Sequence, residues 1–361
     1  MKEKVDYLIS LIHKDEIDNF KYYTCGFQKE YQKVENINLG YIPFLNVLNV
    51  NFVDAVLPDI YKTNRNCNKR ESTEYICIHD TANGAPRANA KMHHRWIYNM
   101  ATDPENKNTV SWHYVIGNDE IYQHIPLDEV AHHAGDGTRV KLEFFKTSVK
   151  ANNDKPVFDI SSDGYYIINN VKTEVKCPLD EEGRIPTKDK LPYSGISYKI
   201  DDSGNYLLGN TWWSNTYKRI GNYGGNLNSI GIETCVNTGV NYTTVMRNTA
   251  KIVGMLLNKY NLSINRVKQH NDFSGKNCPM SMRISNRWEE FIWLIEIEKY
   301  YQENLSDVKI EFISLDPEYL DNYGNVKKYE EGKTIKYLVR AIKDNEIYER
   351  TLESKMGKCN Y

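Results

Sequence analysis

In the run QHNDFSGKNCP, His270 and Cys278 stand eight residues apart with Lys276 two places before the cysteine. A third residue of metal-binding type, His79, ends the apolar run YICIH. Two imidazoles and a thiolate form the donor set of a catalytic zinc site that keeps one coordination position open for water. Singly, each has a plainer reading: His79 as a packed histidine at a strand end, Cys278 as a buried thiol behaving like a small hydrophobe. The segment joining His270 to Cys278 contains Asp272 and Gly275 and is followed by Pro279. That is turn chemistry able to fold the chain back so that both side chains face one point. Three ligands without a fourth nearby candidate describe a site that works on water rather than one that only holds a fold together. The adjacent pairs His93-His94 and His132-His133 lack the i, i+4 spacing of a helical zinc motif and compete weakly.

The elements around these residues determine whether they can meet. YICIHDT (75–81) reads as a buried strand delivering His79 at its C-terminal end, SIGIETCV (229–236) as another, and INRVKQH as a strand presenting His270. ARANAKMHHRWIYNMATD, within 85–103, reads as a helix. VSWHYVIGNDEIYQHIP (110–126) reads as a hairpin around Gly117-Asn118-Asp119. TTVMRNTAKIVGMLLNKY (243–260) carries apolar residues at helical spacing with Thr243 as the expected N-cap. A helix over about 4–24 is predicted from Val5, Leu8, Ile9 and Ile12, and a last helix over about 283–304. Interleaved strands and helices predict an α/β fold: a mixed central β-sheet flanked by helices, with the zinc site in a surface groove. The expected organisation is an N-terminal extension over 1–70, a catalytic domain over 71–304 and a small β-rich C-terminal module over 305–361. Within the catalytic domain, an insertion of short strand-like pieces is expected at about 138–215.

Composition narrows the partners. Lys+Arg 46 against Asp+Glu 48 leaves a net charge of −2, which argues against nucleic acid, whose binders neutralise phosphates. Seven irregularly spaced cysteines do not form a disulfide framework. No run approaches the roughly 18 apolar residues of a membrane span, and the first twenty residues lack the pattern of a secretory signal. The expectation is synthesis in a reducing cytosol and, if the substrate lies outside it, export by another route.

In order along the chain, YICIHDT, VSWHYVIGNDEIYQHIPLDEVAHHAGDG, NSIGIETCVN and VKQHNDFSGKNCP resemble the type-2 N-acetylmuramoyl-L-alanine amidases, the zinc fold of phage lysins and peptidoglycan-recognition proteins. The resemblance covers about 75–136 and 220–282, roughly half the chain. It implies that His79, His270 and Cys278 hold Zn2+, that Glu233 is the catalytic glutamate and that Lys276 is the lysine two residues before the last ligand. His133 matches a histidine at the groove rim, although His132 stands where a tryptophan is usual. Trp112 stands where some relatives have a tyrosine, and with His133 it is a candidate for substrate contact. The implied reaction is hydrolysis of the amide between N-acetylmuramic acid and L-alanine. Glu233 would move the proton, and Lys276 would stabilise charge on the carbonyl oxygen. The implied partner is bacterial peptidoglycan, with phage virion or tail proteins if the lysin is particle-borne. Residues 1–70 would then be a docking element, and the C-terminal module a wall binder. The alternative is a peptidoglycan-binding or structural virion protein with a vestigial site; Cys278, Glu233 and Lys276 together favour the enzyme.

Overall fold

Ile76 and Ile78 alternate with Cys77 and His79 along the strand Tyr75–Asp80. Successive side chains of a strand point to opposite faces, so one face of the sheet receives two isoleucines and the other receives a thiol and an imidazole. The neighbouring strand Ser229–Thr234 runs parallel in a register that pairs Gly231 with Cys77 and Glu233 with His79. Ser229, Gly231 and Glu233 therefore share the face of Cys77 and His79, while Ile230 and Ile232 join Ile76 and Ile78 in the core. The computed structural model describes residues 1–17, 51–135, 143–152, 156–180, 183–188, 196–211, 225–322, 324 and 326–357, with the backbone of Tyr23–Thr24 and Lys33–Val34.

Two compact units divide the chain, one of residues 1–133, 228–269 and 278–361, the other of residues 134–227 and 270–277. The first holds a six-stranded sheet in the order Val267–Gln269, Tyr75–Asp80, Ser229–Thr234, Tyr114–Ile116, Glu120–Gln123 and Asn51–Asp54. The pairings are parallel except for the antiparallel hairpin of Tyr114–Ile116 with Glu120–Gln123. The sheet is thus mixed, and helices Ala90–Thr102 and Tyr242–Lys259 pack against its strands.

Helix Tyr242–Lys259 is capped differently from the expectation. Asn241 is the N-cap, its side chain accepting from Thr244 N at 3.1 Å. Thr243 sits inside the first turn, where its hydroxyl accepts from Arg287 Nη2 at 2.9 Å. Two residues of N-cap type lie near the helix start, and the polar partner across the fold occupies the threonine.

The helix predicted over about 4–24 is Lys2–Ile12. Its apolar stripe ends at Ile12, His13 is extended, and Glu16–Ile17 pairs parallel with the strand Glu346–Met356; residues 18–22 lie outside those described. Glu16–Ile17 completes a four-stranded sheet with Glu346–Met356, Thr334–Lys343 and Lys309–Ser314. Helix Lys2–Ile12 packs on helix Trp288–Asn304, where Trp293 Nε1 donates to Leu11 O at 2.8 Å. The single helix expected over 283–304 is two, Met280–Ile284 and Trp288–Asn304, separated where Asn286 adopts a φ of 55°, a left-handed conformation that asparagine tolerates.

The second unit is β-rich. Phe144–Lys150, Asn205–Gly209 and Tyr198–Ile200 form one three-stranded sheet; Phe158–Ile160, Tyr165–Ile168 and Val171–Lys176 form another. Phe158, Tyr166, Ile168, Tyr206 and Leu208 belong to a core of its own. Among the described residues no helix is long and apolar enough to cross a membrane.

The first unit also buries two histidines, His93 and His124, that belong to neither group of metal-type residues. Burial pushes His124 down to about 3, with His94 and His93 adding to the effect, and pushes His93 down to about 4. Both are neutral when folded, whereas an unfolded histidine takes up a proton below about pH 6.5. The unfolded state therefore binds more protons, and stability is full above about pH 6.5 and falls as the pH drops toward 4. Each group is expected to remove about 1.4 kcal/mol per pH unit within that window. Urea unfolding across the range should show the decline, less steeply in His124→Gln, and a flat profile would contradict it.

Candidate metal centre

His79 is 2 % exposed and Cys278 3 % exposed, so these potential ligands lie beneath the surface. Cys278 Sγ lies 3.8 Å from His79 Nδ1. Glu233, in register with His79 on the adjacent strand, puts Oε1 4.0 Å from the same nitrogen. His270 directly follows Gln269, the register partner of Ile78, and His79 directly follows Ile78. His79, His270 and Cys278 each offer one ligand atom, and these atoms lie within 4.8 Å of one another. Two imidazoles and a thiol, all buried, match the donor chemistry of zinc.

Asp80, which the sequence reading did not single out, fastens this arrangement. Its Oδ2 accepts from Ser281 N at 2.9 Å, at the start of helix Met280–Ile284, and its Oδ1 lies 4.0 Å from Cys278 Sγ. One carboxylate thus ties the chain just after Cys278 to the strand that carries His79. Its signal in the sequence was its position beside His79 in YICIHDT. Arg283 Nη1 donates to Gln269 Oε1 at 2.6 Å and ties the same short helix to the strand that precedes His270.

Lys276 is exposed, on a turn held by Asn271, whose Nδ2 donates to Gly275 O at 2.9 Å and Lys276 O at 2.8 Å. Trp112 is buried, with its ring parallel to that of Trp96 at 6.0 Å. Trp96, at 38 % exposure, is the solvent-facing member of that stack and was not anticipated. Of the pair His132-His133, His132 Nε2 accepts from Asn66 Nδ2 at 3.1 Å. His133 turns its Nδ1 to His79 Nε2 at 2.9 Å. Burial first, and the Arg70 guanidinium second, push His133 down to about 3, against an opposing hydrogen bond to the Ser229 carbonyl. Cys77, His79 and His133 form a second group with ligand atoms within 4.8 Å of one another. His113, buried beside them, accepts from Gly231 N at 3.0 Å through Nδ1, which fixes it to the strand that bears Glu233. Burial holds its imidazole well below the usual range.

Among relatives, CwlH of Bacillus subtilis (strain 168), an N-acetylmuramoyl-L-alanine amidase, is 25% identical over 218 residues, covering 60% of this chain and 51% of that protein. XlyA of the same organism, also an N-acetylmuramoyl-L-alanine amidase, is 24% identical over 217 residues, covering 60% of this chain and 42% of that protein. The chain thus spans about half the length of the relatives it matches. The solved catalytic domain of XlyA aligns with 68% of this chain and 99% of that domain at a TM-score of 0.39 and 24% identity. The family model of N-acetylmuramoyl-L-alanine amidases matches residues 69–163 and 169–281, more than half of the chain and all the residues brought together around His79. By that match the chain belongs to the N-acetylmuramoyl-L-alanine amidase family.

Proposed function

We propose that the protein is a zinc-dependent peptidoglycan hydrolase that cuts the amide between N-acetylmuramic acid and the L-alanine of the stem peptide, working as a lysin of phage or prophage type. The observation that carries this reading is the approach of Cys278 Sγ and Glu233 Oε1 to one nitrogen of His79 in a chain of this family. His79, His270 and Cys278 would hold the metal. When bound, zinc supplies Lewis-acid chemistry: it makes water a nucleophile near neutral pH and polarises an amide carbonyl.

Glu233 is held by strand register beside His79, its Oε1 4.0 Å from His79 Nδ1 and its side chain 14% exposed. Its carboxylate would take the proton of the attacking water and return it to the alanine amine as the C–N bond breaks. Lys276, exposed on its turn, would offset the negative charge that develops on the carbonyl oxygen. Trp96, solvent-facing over the buried Trp112, provides flat apolar surface of the kind that packs against sugar rings.

The test is incubation of purified sacculi with the protein, with and without a chelator. Chelator-sensitive release of new N-terminal alanine amines, without new reducing sugar ends, is the expected result. New reducing ends would mark a glycosidase and overturn the reading. Intact sacculi that nonetheless retain the protein would favour a binding role. Mass spectrometry of purified phage particles would separate a particle-borne lysin from a free one.

A further inference from the structure

The two ring nitrogens of His79 face different neighbours. Nδ1 is directed to Cys278 and Glu233, whereas Nε2 lies 2.9 Å from His133 Nδ1 and 3.1 Å from Cys77 Sγ. A ring nitrogen that gives its lone pair to a metal cannot also carry a proton. The tautomer that leaves Nδ1 open therefore keeps its proton on Nε2 and needs an acceptor there. Of the two neighbours, an imidazole nitrogen is a good acceptor and a thiol sulfur a weak one. A neutral His133 ring whose proton sits on Nε2 has the Nδ1 lone pair, 2.9 Å from His79 Nε2, with which to accept.

The seat of His133 is specific. A Cβ at position 231 would stand 2.6 Å from Cδ2 and Cγ of the His133 ring and 2.8 Å from its Nδ1. No side-chain carbon is accommodated that close, so the imidazole occupies a notch that only glycine leaves open. Gly231 is the register partner of Cys77, two residues before His79 on the same face, so the notch sets His133 at the level where it meets His79 Nε2.

We propose that His133 is a positioning residue of the metal centre: seated in the Gly231 notch, it accepts a hydrogen bond from His79 Nε2 and fixes the tautomer and ring orientation that present Nδ1 toward Cys278. This rests on the zinc-amidase reading above and changes the role expected of His133, from touching substrate at a groove rim to supporting a ligand. Partners of this kind commonly contribute about 10–100-fold in metal affinity.

The test uses the full chain. His133→Phe is expected to weaken zinc binding by about 10–100-fold in competition with a chromophoric chelator, with KM for muropeptide little changed. His133→Gln, which retains an acceptor, should recover most of the affinity. Gly231→Ala keeps the histidine but displaces its ring, and it should weaken zinc binding as His133→Phe does. Raised KM with unaltered zinc affinity in these variants would restore the rim role and overturn the proposal. Long-range proton–nitrogen NMR of the wild-type protein gives an answer that needs no variant to fold and no zinc to bind. His79 protonated on Nε2 is the expected result, and protonation on Nδ1 overturns the proposal. A wild-type protein that leaves sacculi intact or takes up no zinc would refute the function proposed above, while the NMR result would still decide the role of His133.

Discussion

Replacing Cys278 by serine is expected to lower turnover on sacculi by about 10³-fold or more, the rate equivalent of the several kcal/mol that a metal contributes to transition-state charge. The substitution exchanges a sulfur for an oxygen at a site 3 % exposed, so the packing around it changes little. The chemistry changes far more. A cysteine thiol next to a metal ionises and becomes a charged ligand, whereas a serine hydroxyl stays protonated near neutral pH and is a poor donor to zinc. Elemental analysis of the purified variant should show lost zinc, and circular dichroism should show the fold retained. The wild-type protein stripped by a chelator should fall to the same residual rate and recover when zinc is returned. A serine variant that held stoichiometric zinc and turned over normally would remove Cys278 from the proposed ligand set.

Replacing Glu233 by glutamine is expected to cost about 10²–10⁴-fold in turnover, the usual contribution of a positioned general acid and base. Glutamine has the same shape and can keep the strand position opposite His79, but it cannot carry a proton from water to the leaving amine. Zinc content distinguishes this loss from the first, because Glu233 approaches His79 at 4.0 Å without being one of the three proposed ligands. Slow turnover with full zinc is the result that assigns the proton transfer to Glu233. Unchanged turnover with zinc bound would place the base elsewhere.

Much of the local architecture is legible along the chain because short-range rules write it there. The alternation in YICIHD and SIGIET reads as buried strands, the Gly117-Asn118-Asp119 turn as a hairpin, and the spacing of Val245, Ile252, Val253, Leu256 and Leu257 as a helix; each is observed. The departures occur where a distant partner decides. Arg287 engages Thr243, so Asn241 takes the cap. The N-terminal segment leaves its helix at Ile12 for a strand pairing with residues more than three hundred positions away.

Sequence by itself determined which residue types could form the centre and their order: His79 ending a strand, Glu233 on another, and His270 and Cys278 flanking a turn. Those follow from side-chain chemistry, from periods of a few residues and, for Glu233, from the resemblance to the amidase family. Only the tertiary structure decided how they meet, because parallel register is a property of two strands. That register set Glu233 opposite His79 and Gly231 opposite Cys77. It also opened the notch that receives His133 and let Asp80 fasten the chain beyond Cys278. No linear spacing encodes a glycine whose purpose is the ring of a histidine from another loop. That contact exists because folding packs the loop against the strand.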